Sequence, residues 1–131
     1  MMKEPQHRVG TGKAIQELVV ELNLPYSSTM QDWPYEIADA DEIDNYINHY
    51  RATTDFDKKF VLMEMIIQAT NDQDDTVTFN KYWHVIKSIL EEDFAIHEYT
   101  IYYWSCFEIE NIENCWEITP NMRALWKSMV H

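Results

Sequence analysis

The sequence DFDKKFVLMEMIIQAT, residues 55–70, decides between a helical fold and a β-sheet fold. Its centre, FVLMEMII, is apolar enough for a buried strand. Its length, the recurrence of apolar residues every three or four positions, and its flanking capping residues favour a helix instead. We therefore predict a helix over residues 55–70 with these inward side chains: Phe56, Phe60, Met63, Ile66 and Ile67.

The residues at the start of the chain predict an arm followed by a first helix. Residues 1–12 are polar and predict a flexible arm. Thr11 is placed to cap a helix that begins near Lys13, and Asn23-Leu24-Pro25 ends it. The apolar residues of this helix recur at helical spacing: Ala14, Ile15, Leu18, Val19 and Leu22.

The segment between the first helix and residue 55 predicts a loop and a second helix. Residues 25–38 contain Pro34 and several turn formers, so we predict a loop pinned by two aromatic side chains, Trp33 and Tyr35. A helix then starts at Asp39 or Asp41, where acidic side chains suit the helix dipole. Its predicted apolar stripe consists of Ile43, Tyr46, Ile47 and Tyr50.

The second half of the chain predicts three more helices. Residues 71–76 form a polar connector, and Thr78 is expected to cap the next helix. Helical periodicity continues to Trp104, and we predict a break at Glu91-Glu92-Asp93 that divides it into two helices. A loop is expected over residues 107–118, followed by a last helix in which Thr119 is the cap and Pro120 the first helical residue.

Composition supports an all-α fold. The chain has 131 residues, close to the commonest size of one domain, but only two glycines and four prolines. All-β folds need many more turn residues than this. We predict one domain over residues 13–131, with five or six helices packed as antiparallel hairpins in a bundle-like or short solenoid-like arrangement.

Charge is the strongest functional signal in the composition. The formal net charge is -13, which opposes binding to nucleic acid and to anionic membranes. No Lys or Arg occurs between Lys13 and Arg51, or between Lys87 and Arg123, although both segments are rich in acids. We expect these acids to lack partners within the chain and to meet a cationic partner.

Neither an export signal nor a membrane span is predicted. The N-terminal MMKEPQHRVGTG has no apolar core of a signal peptide, and no apolar run reaches about 18 residues. The sequence therefore predicts a cytoplasmic protein whose two cysteines are reduced.

No recognised catalytic or metal-binding motif occurs. The chain lacks GxSxG, a phosphate-binding glycine loop and a spaced histidine pair. Cys106 and Cys115 are interpreted as small buried hydrophobes, with zinc ligation or a disulfide as the lesser alternatives. The segment DADEID, residues 39–44, lacks the glycine and distal glutamate of a calcium loop and is interpreted as a helix N-terminus. No cofactor, metal or enzymatic activity is predicted.

The segment YYWSCFEIENIENCWEITPNMRALW, which starts at Tyr102, combines aromatic and acidic residues. Its aromatic residues are compatible with core packing, with a small-molecule pocket or with a protein-binding face. Interface cores are enriched in Tyr and Trp, and surrounding acids speed association with a basic partner. Adjacent tyrosines at 102 and 103 cannot both face the core of a helix, so one is expected to point outward.

Three segments resemble a family of small, acidic, helical bacterial immunity proteins encoded beside polymorphic or contact-dependent growth-inhibition toxins. They are DEIDNYINHYRATTDFDKKFVLMEMIIQATND (residues 41–72), YYWSCFE (102–108) and CWEITPNMRALW (115–126). The resemblance is carried by short stretches such as ITPNMRALW rather than by a catalytic motif. It implies a tight, stoichiometric inhibitor of a toxin domain, often a nuclease, in the cytoplasm of the producing cell.

We therefore predict that the chain binds a basic protein partner through two acidic clusters. The first comprises Asp39, Asp41, Glu42 and Asp44. The second comprises Glu108, Glu110, Glu113 and Glu117, with Tyr103 and Trp116 as aromatic anchors. The alternatives are an adaptor or regulatory subunit with a non-toxin partner, and a helical enzyme with a carboxylate or histidine metal site.

Overall fold

A computed structural model describes residues 4–27 and 29–130. The described chain is all-helical, with 70% helix and no strand. It contains seven α-helices: α1 Gly12–Leu22, α2 Trp33–Ile37, α3 Ile43–Ala52, α4 Phe56–Asn71, α5 Thr76–Glu92, α6 Phe94–Ser105 and α7 Thr119–Met129. The all-α prediction is confirmed, but the helix number of five or six is wrong because residues predicted as a loop form α2. The antiparallel-hairpin packing stays a prediction.

The helices group into two compact units. Val9–Asp74, with α1 to α4, forms the N-terminal unit. Residues 75–130, with α5 to α7, form the C-terminal unit together with residues 4–8. The single domain over residues 13–131 and the flexibility of the arm over residues 1–12 stay predictions.

Helix α4 is the centre of the N-terminal unit. The helices α1, α2 and α3 all pack against it. Its buried residues surround the helix axis instead of forming one stripe, as expected for a helix enclosed by others: Phe60, Val61, Leu62, Met63, Met65, Ile66, Ile67, Ala69 and Thr70. The predicted apolar stripe of α3 is also confirmed, since all four of its residues are buried.

The start of α4 corrects one predicted core residue. Asp55 is the N-cap, and its carboxylate accepts hydrogen bonds from the backbone N–H groups of Asp57 (2.9 Å) and Lys58 (3.1 Å). Phe56 was predicted to face inward, but its side chain is 63% exposed. It is the first residue of the helix and precedes the enclosed stretch by a full turn, so the neighbouring helices do not cover it.

Helices α1 and α2 show how the first part of the N-terminal unit is built. The predicted cap is confirmed, since the Thr11 hydroxyl accepts a hydrogen bond from the Ala14 N–H at 3.1 Å. Asn23 ends α1 in the left-handed conformation, with φ of 52°. Trp33 is buried and its indole N–H donates to the Pro25 carbonyl at 2.8 Å. The loop is thus pinned by Trp33 as predicted, but Pro34 lies in the first turn of a helix.

The C-terminal unit consists of α5, α6 and α7, with α6 packed along α7. The predicted break between α5 and α6 is confirmed at Asp93. The predicted cap of α5 is wrong: Asp75, not Thr78, is the N-cap, and its carboxylate accepts hydrogen bonds from both the N–H and the hydroxyl of Thr78 at 2.8 Å. The helix therefore begins at Thr76.

The start of α7 was also assigned to the wrong cap. Thr119 is the first residue of α7 and is buried. Its hydroxyl donates to the backbone carbonyl of Trp104 at 2.9 Å. That carbonyl lies in the last turn of α6, where helix carbonyls have no intrahelical partner. The hydroxyl therefore connects two helices instead of capping one.

We expect Thr119→Val to lower the free energy of unfolding by about 1–3 kcal/mol, because it removes a buried hydrogen bond while keeping the side-chain shape. Urea denaturation at equilibrium measures this change. Thr76→Val, at an exposed position in the first turn of α5, is the matched control and should change stability little. Equal effects of the two substitutions would contradict a structural role for the hydroxyl of Thr119.

No helix in residues 4–27 and 29–130 is both long enough and apolar enough to span a membrane.

Candidate functional site

The loop after α6 has a defined conformation. Cys106 ends α6 in the left-handed conformation, with φ of 54°, and its N–H donates to the Tyr103 carbonyl. A short 3₁₀ turn, Ile112–Asn114, follows, and the Asn111 side chain accepts a hydrogen bond from the Glu113 N–H at 3.1 Å. The loop predicted for residues 107–118 is confirmed, with this turn inside it.

Arg123 holds the loop from its position on α7. Its Nε donates to the Ser105 carbonyl at 2.6 Å, and its Nη2 donates to the carbonyls of Cys106 (2.8 Å) and Ile109 (3.1 Å). Its guanidinium carbon also lies 5.4 Å from the centre of the Phe107 ring. The cation nearest to this acidic loop in the sequence thus binds main-chain oxygens instead of carboxylates.

The acidic side chains of the loop remain available to a partner. The four predicted residues of the second cluster are all exposed: Glu108, Glu110, Glu113 and Glu117. Within residues 4–27 and 29–130, none of them forms an ion pair with a Lys or Arg side chain. The four carboxylates of this twelve-residue loop therefore have no ion-pair partner among the Lys and Arg side chains of the described chain.

Aromatic and aliphatic side chains accompany these charges. Tyr103 is 40% exposed, and its ring centre lies 5.4 Å from that of the half-buried Trp116. Trp116 rests in turn on the buried ring of Trp104, at 4.5 Å. Tyr102 turns the other way and packs against Trp126 at 5.3 Å, which confirms that one of the two tyrosines points outward.

Two isoleucines of the same loop are also exposed. Ile109 and Ile112 are 37% and 38% exposed. Together with the acids and the aromatic pair they define the acidic–aromatic segment: Tyr103, Glu108, Ile109, Glu110, Ile112, Glu113, Trp116 and Glu117. The segment thus places partly exposed apolar side chains among exposed carboxylates.

The first predicted cluster lies in the N-terminal unit, at the start of α3. Asp39 accepts a hydrogen bond from the Asp41 N–H at 2.9 Å and caps the 3₁₀ turn Ala40–Glu42, so the helix N-terminus interpretation is confirmed. Glu42 accepts a hydrogen bond from Asn45. Asp41 and Asp44 are exposed. Two of the four carboxylates, those of Asp39 and Glu42, therefore accept hydrogen bonds at the start of this helix.

A groove of about 780 Å³ adjoins the first cluster and is lined by Asp39, Glu42 and Tyr46, among others. Burial raises the pKa of the Tyr46 hydroxyl, and the negative charges of Asp39 and Glu42 add to this effect, while the backbone N–H of Asp39, which donates to that hydroxyl, opposes it. Three carboxylates, of Glu21, Asp39 and Glu42, and the phenol of Tyr46 are thus among the groups that line the groove.

Two acids of the first base-free segment have partners from elsewhere in the chain, contrary to expectation. Lys58 Nζ lies 2.5 Å from Glu21 Oε2 and 3.5 Å from Glu17 Oε1. His49 Nε2 lies 2.6 Å from Glu21 Oε1. The hydrogen bonds from Lys58 and then His49 lower the pKa of Glu21. The expectation of unpaired acids therefore fails here, because folding brings α4 beside α1.

Glu64 was not among the predicted site residues. It borders a cavity of about 230 Å³ that is also lined by Asp32, Trp33 and Tyr35. Burial raises the pKa of Glu64 to about 7, a hydrogen bond from Tyr35 opposes this change, and the charge of Asp32 reinforces it. The signal was present in the sequence, since Glu64 is the one charged residue within FVLMEMII.

Metal ligands do not converge in the described chain. Over residues 4–27 and 29–130, no group of three or more His, Cys, Asp or Glu side chains is arranged to hold a metal ion. Cys106 and Cys115 are free thiols, the first buried and the second partly buried.

Comparison with known proteins adds no assignment to these sites: no family model, curated protein or solved structure matches the chain. The resemblance to immunity proteins stays a prediction, and what the chain binds is inferred from its own surface chemistry.

Proposed function

We propose that this chain is an immunity protein that binds and neutralises a basic toxin domain, a nuclease, in the cytoplasm of the producing cell. The observation that carries this proposal is the acidic–aromatic segment. It combines four exposed carboxylates that have no cationic partner in the described chain with a partly exposed Tyr103–Trp116 pair.

The energetics of this segment favour a cationic protein as the partner. When no neighbouring positive charge offsets an exposed carboxylate, its negative electrostatic potential attracts a basic surface and accelerates the encounter. Tyr and Trp then supply most of the contact energy once water is excluded from around them. The segment therefore offers both fast association and a desolvated anchor.

A nuclease fits this chemistry because it binds phosphate through Lys and Arg side chains. A chain carrying the net charge of -13 can cover that surface or a neighbouring one. Inhibition of this kind needs no catalytic group and no cofactor. It needs only a complementary surface and a complex that dissociates slowly.

Co-purification from the native host tests the proposal. The tagged full chain is expected to capture one small, strongly cationic domain at a one-to-one ratio and with about nanomolar affinity, about -12 kcal/mol. Expression of that domain without the chain should stop growth, and co-expression should restore it. Capture of a non-toxic regulatory or scaffolding protein as the stoichiometric partner would instead establish the adaptor alternative.

An enzyme that uses Glu64 is the second candidate. A carboxyl group with a pKa of about 7 beside a tyrosine hydroxyl in a cavity suits general acid–base chemistry. The two candidates differ in the effect of Glu64→Gln, which would abolish the activity of such an enzyme but leave toxin neutralisation unchanged. Growth protection by this variant, measured beside the wild type, separates them.

A further inference from the structure

The two cysteines of the C-terminal unit meet at the base of the loop. Cys106 follows the last residue of α6, and Cys115 follows the 3₁₀ turn Ile112–Asn114. Their Sγ atoms are 2.8 Å apart, less than 1 Å more than the length of a disulfide bond. Residues 107–114, which lie between them, carry three of the four acids of the acidic–aromatic segment.

We propose that Cys106 and Cys115 are an oxidisable dithiol that forms a reversible intramolecular disulfide with a low-molecular-weight disulfide, such as glutathione disulfide, as the oxidant. This modification site is independent of the proposed toxin partner. It also goes beyond the interpretation of both residues as small buried hydrophobes.

The surroundings hold the two sulfur atoms in place. Arg123 Nη2 donates to the Cys106 carbonyl at 2.8 Å and lies 3.9 Å from Cys115 Sγ. Cys115 Sγ also lies 3.9 Å from the Cys106 carbonyl oxygen. One guanidinium thus fixes the backbone at the first cysteine and places a positive charge beside the sulfur of the second.

The order of the two chemical steps follows from exposure. Cys115 is partly exposed and Cys106 is buried, so the oxidant reaches Cys115 first. Burial raises the pKa of the Cys106 thiol to about 12, and its contact with Cys115 adds to this effect. Thiolates are the attacking species in disulfide exchange, so the raised pKa disfavours Cys106 as the first thiol to attack. The second step is intramolecular, and Cys106 Sγ is already in contact with Cys115 Sγ.

Both steps balance in atoms and electrons. The Cys115 thiolate attacks one sulfur of glutathione disulfide, which forms a mixed disulfide and releases one glutathione thiolate. The Cys106 thiolate then attacks Cys115 Sγ, which forms the protein disulfide and releases the second glutathione. The protein thiols lose two electrons and two protons, and the oxidant gains them as two glutathione thiols.

The disulfide would close a loop of eight residues, 107–114, which carries part of the acidic–aromatic segment. A cross-link across so short a loop restricts the conformations that the loop can adopt. We therefore expect oxidation to protect the peptide bonds after Glu108, Glu110 and Glu113 from a glutamyl-specific protease.

Thiol titration and peptide mapping of the purified full chain test the proposal. After incubation with glutathione disulfide at pH 8, both thiols should be lost, the protein should retain no glutathione, and a peptide linking Cys106 to Cys115 should appear. A thiol reductant should reverse these changes. Cys106→Ala should retain one glutathione on Cys115, whereas Cys115→Ala should keep its thiol.

Three outcomes would overturn the proposal: wild-type protein that keeps both thiols, that accumulates glutathione on Cys115, or that forms disulfide-linked dimers instead. The protease assay supplies a second readout on the wild-type chain alone. Cleavage after Glu108, Glu110 and Glu113 at the same rate in oxidised and reduced protein would reject the predicted restriction of the loop.

Discussion

Glu64→Gln should raise the free energy of unfolding by about 3 kcal/mol at pH 8 and change it little at pH 4.5. The carboxyl of Glu64 borders the small cavity of the N-terminal unit, and burial there raises its pKa from 4.5 to about 7. Glutamine has nearly the same shape and can accept the same hydrogen bond from Tyr35, but it never ionises. The substitution therefore removes the cost of ionising this half-buried carboxyl near Asp32.

The direction follows from proton binding in the two states. Below pH 4.5 the carboxyl is protonated in both the folded and the unfolded chain, and it adds no pH dependence. Between pH 4.5 and about 7 the unfolded chain has lost this proton while the folded chain still holds it, so the stability of the wild type falls by about 1.4 kcal/mol per pH unit. Above pH 7 both states are ionised and the loss is complete.

Urea denaturation of both proteins from pH 4.5 to pH 8 measures this effect. All other titrating groups are shared, so their contributions cancel in the difference between variant and wild type. Glu36→Gln, at an exposed position on α2, is the matched control and should show no such trend. A difference between Glu64→Gln and wild type that stays constant across this range would show that the carboxyl is solvated in the folded chain.

Neutralising the acids of the C-terminal loop should slow association with the captured partner by about 10–100-fold at low salt. The variant replaces four exposed glutamates by glutamine: Glu108, Glu110, Glu113 and Glu117. None of them pairs with a Lys or Arg of the described chain, so their removal should leave the fold intact. Surface plasmon resonance at two salt concentrations measures the rates, and the difference should shrink at high salt.

A control with the same change in net charge separates local from overall electrostatics. It neutralises four exposed acids outside both predicted clusters: Glu4, Asp74, Glu91 and Glu92. We expect a much smaller effect from this control. Equal slowing by both variants would mean that only the total charge matters, and the acidic–aromatic segment would lose its assigned role. A larger effect from Asp41→Asn with Glu42→Gln would assign the contact to the first cluster.

Tyr103→Ala should act on dissociation instead, because truncating an interface tyrosine removes contact area without changing the charge. Truncating a hot-spot tyrosine typically costs about 2 kcal/mol or more of binding free energy. If the loss appears in dissociation, the complex dissociates about 30-fold faster. The dissociation rate in the same binding assay measures this effect. Unchanged dissociation would place Tyr103 outside the interface.

Most of the helices could be predicted because their signals are local. The helix over residues 55–70 and the cap at Thr11 were predicted from neighbouring residues alone, and both are confirmed. Helix α2 was missed because five residues with a proline provide too few turns for a periodic pattern. Its position is set instead by Trp33, whose indole reaches the Pro25 carbonyl.

The misassigned caps share one physical reason. A hydroxyl side chain before an apolar stretch fits a cap, but it also fits a hydrogen bond to a distant element. Thr119 forms such a bond with Trp104, fifteen residues away. Thr78 instead donates its hydroxyl to the carboxylate of Asp75. A carboxylate is a stronger hydrogen-bond acceptor than a hydroxyl, so Asp75 is the cap and the helix begins earlier than predicted. Sequence spacing alone does not distinguish these partners.

The candidate site was predictable in its composition but not in its pairing. Gaps between basic residues located the acidic loop, and the exposed glutamates lie where they were expected. The same criterion failed for Glu21, because Lys58 reaches it across 37 positions of sequence. Glu64 required knowledge of what surrounds it, since an acid within an apolar helix can face either solvent or a cavity.

Arg123 has a consequence for how this chain can vary. The guanidinium binds main-chain oxygens of residues 105, 106 and 109, and every amino acid supplies such an oxygen whatever its side chain. Asn111 shapes the 3₁₀ turn through its side chain. Substitutions at the other positions of residues 108–114 alter the side chains that the loop presents without removing the main-chain oxygens that Arg123 binds. These positions can therefore vary in charge and size while the anchored backbone path stays the same, provided that the arginine itself is retained.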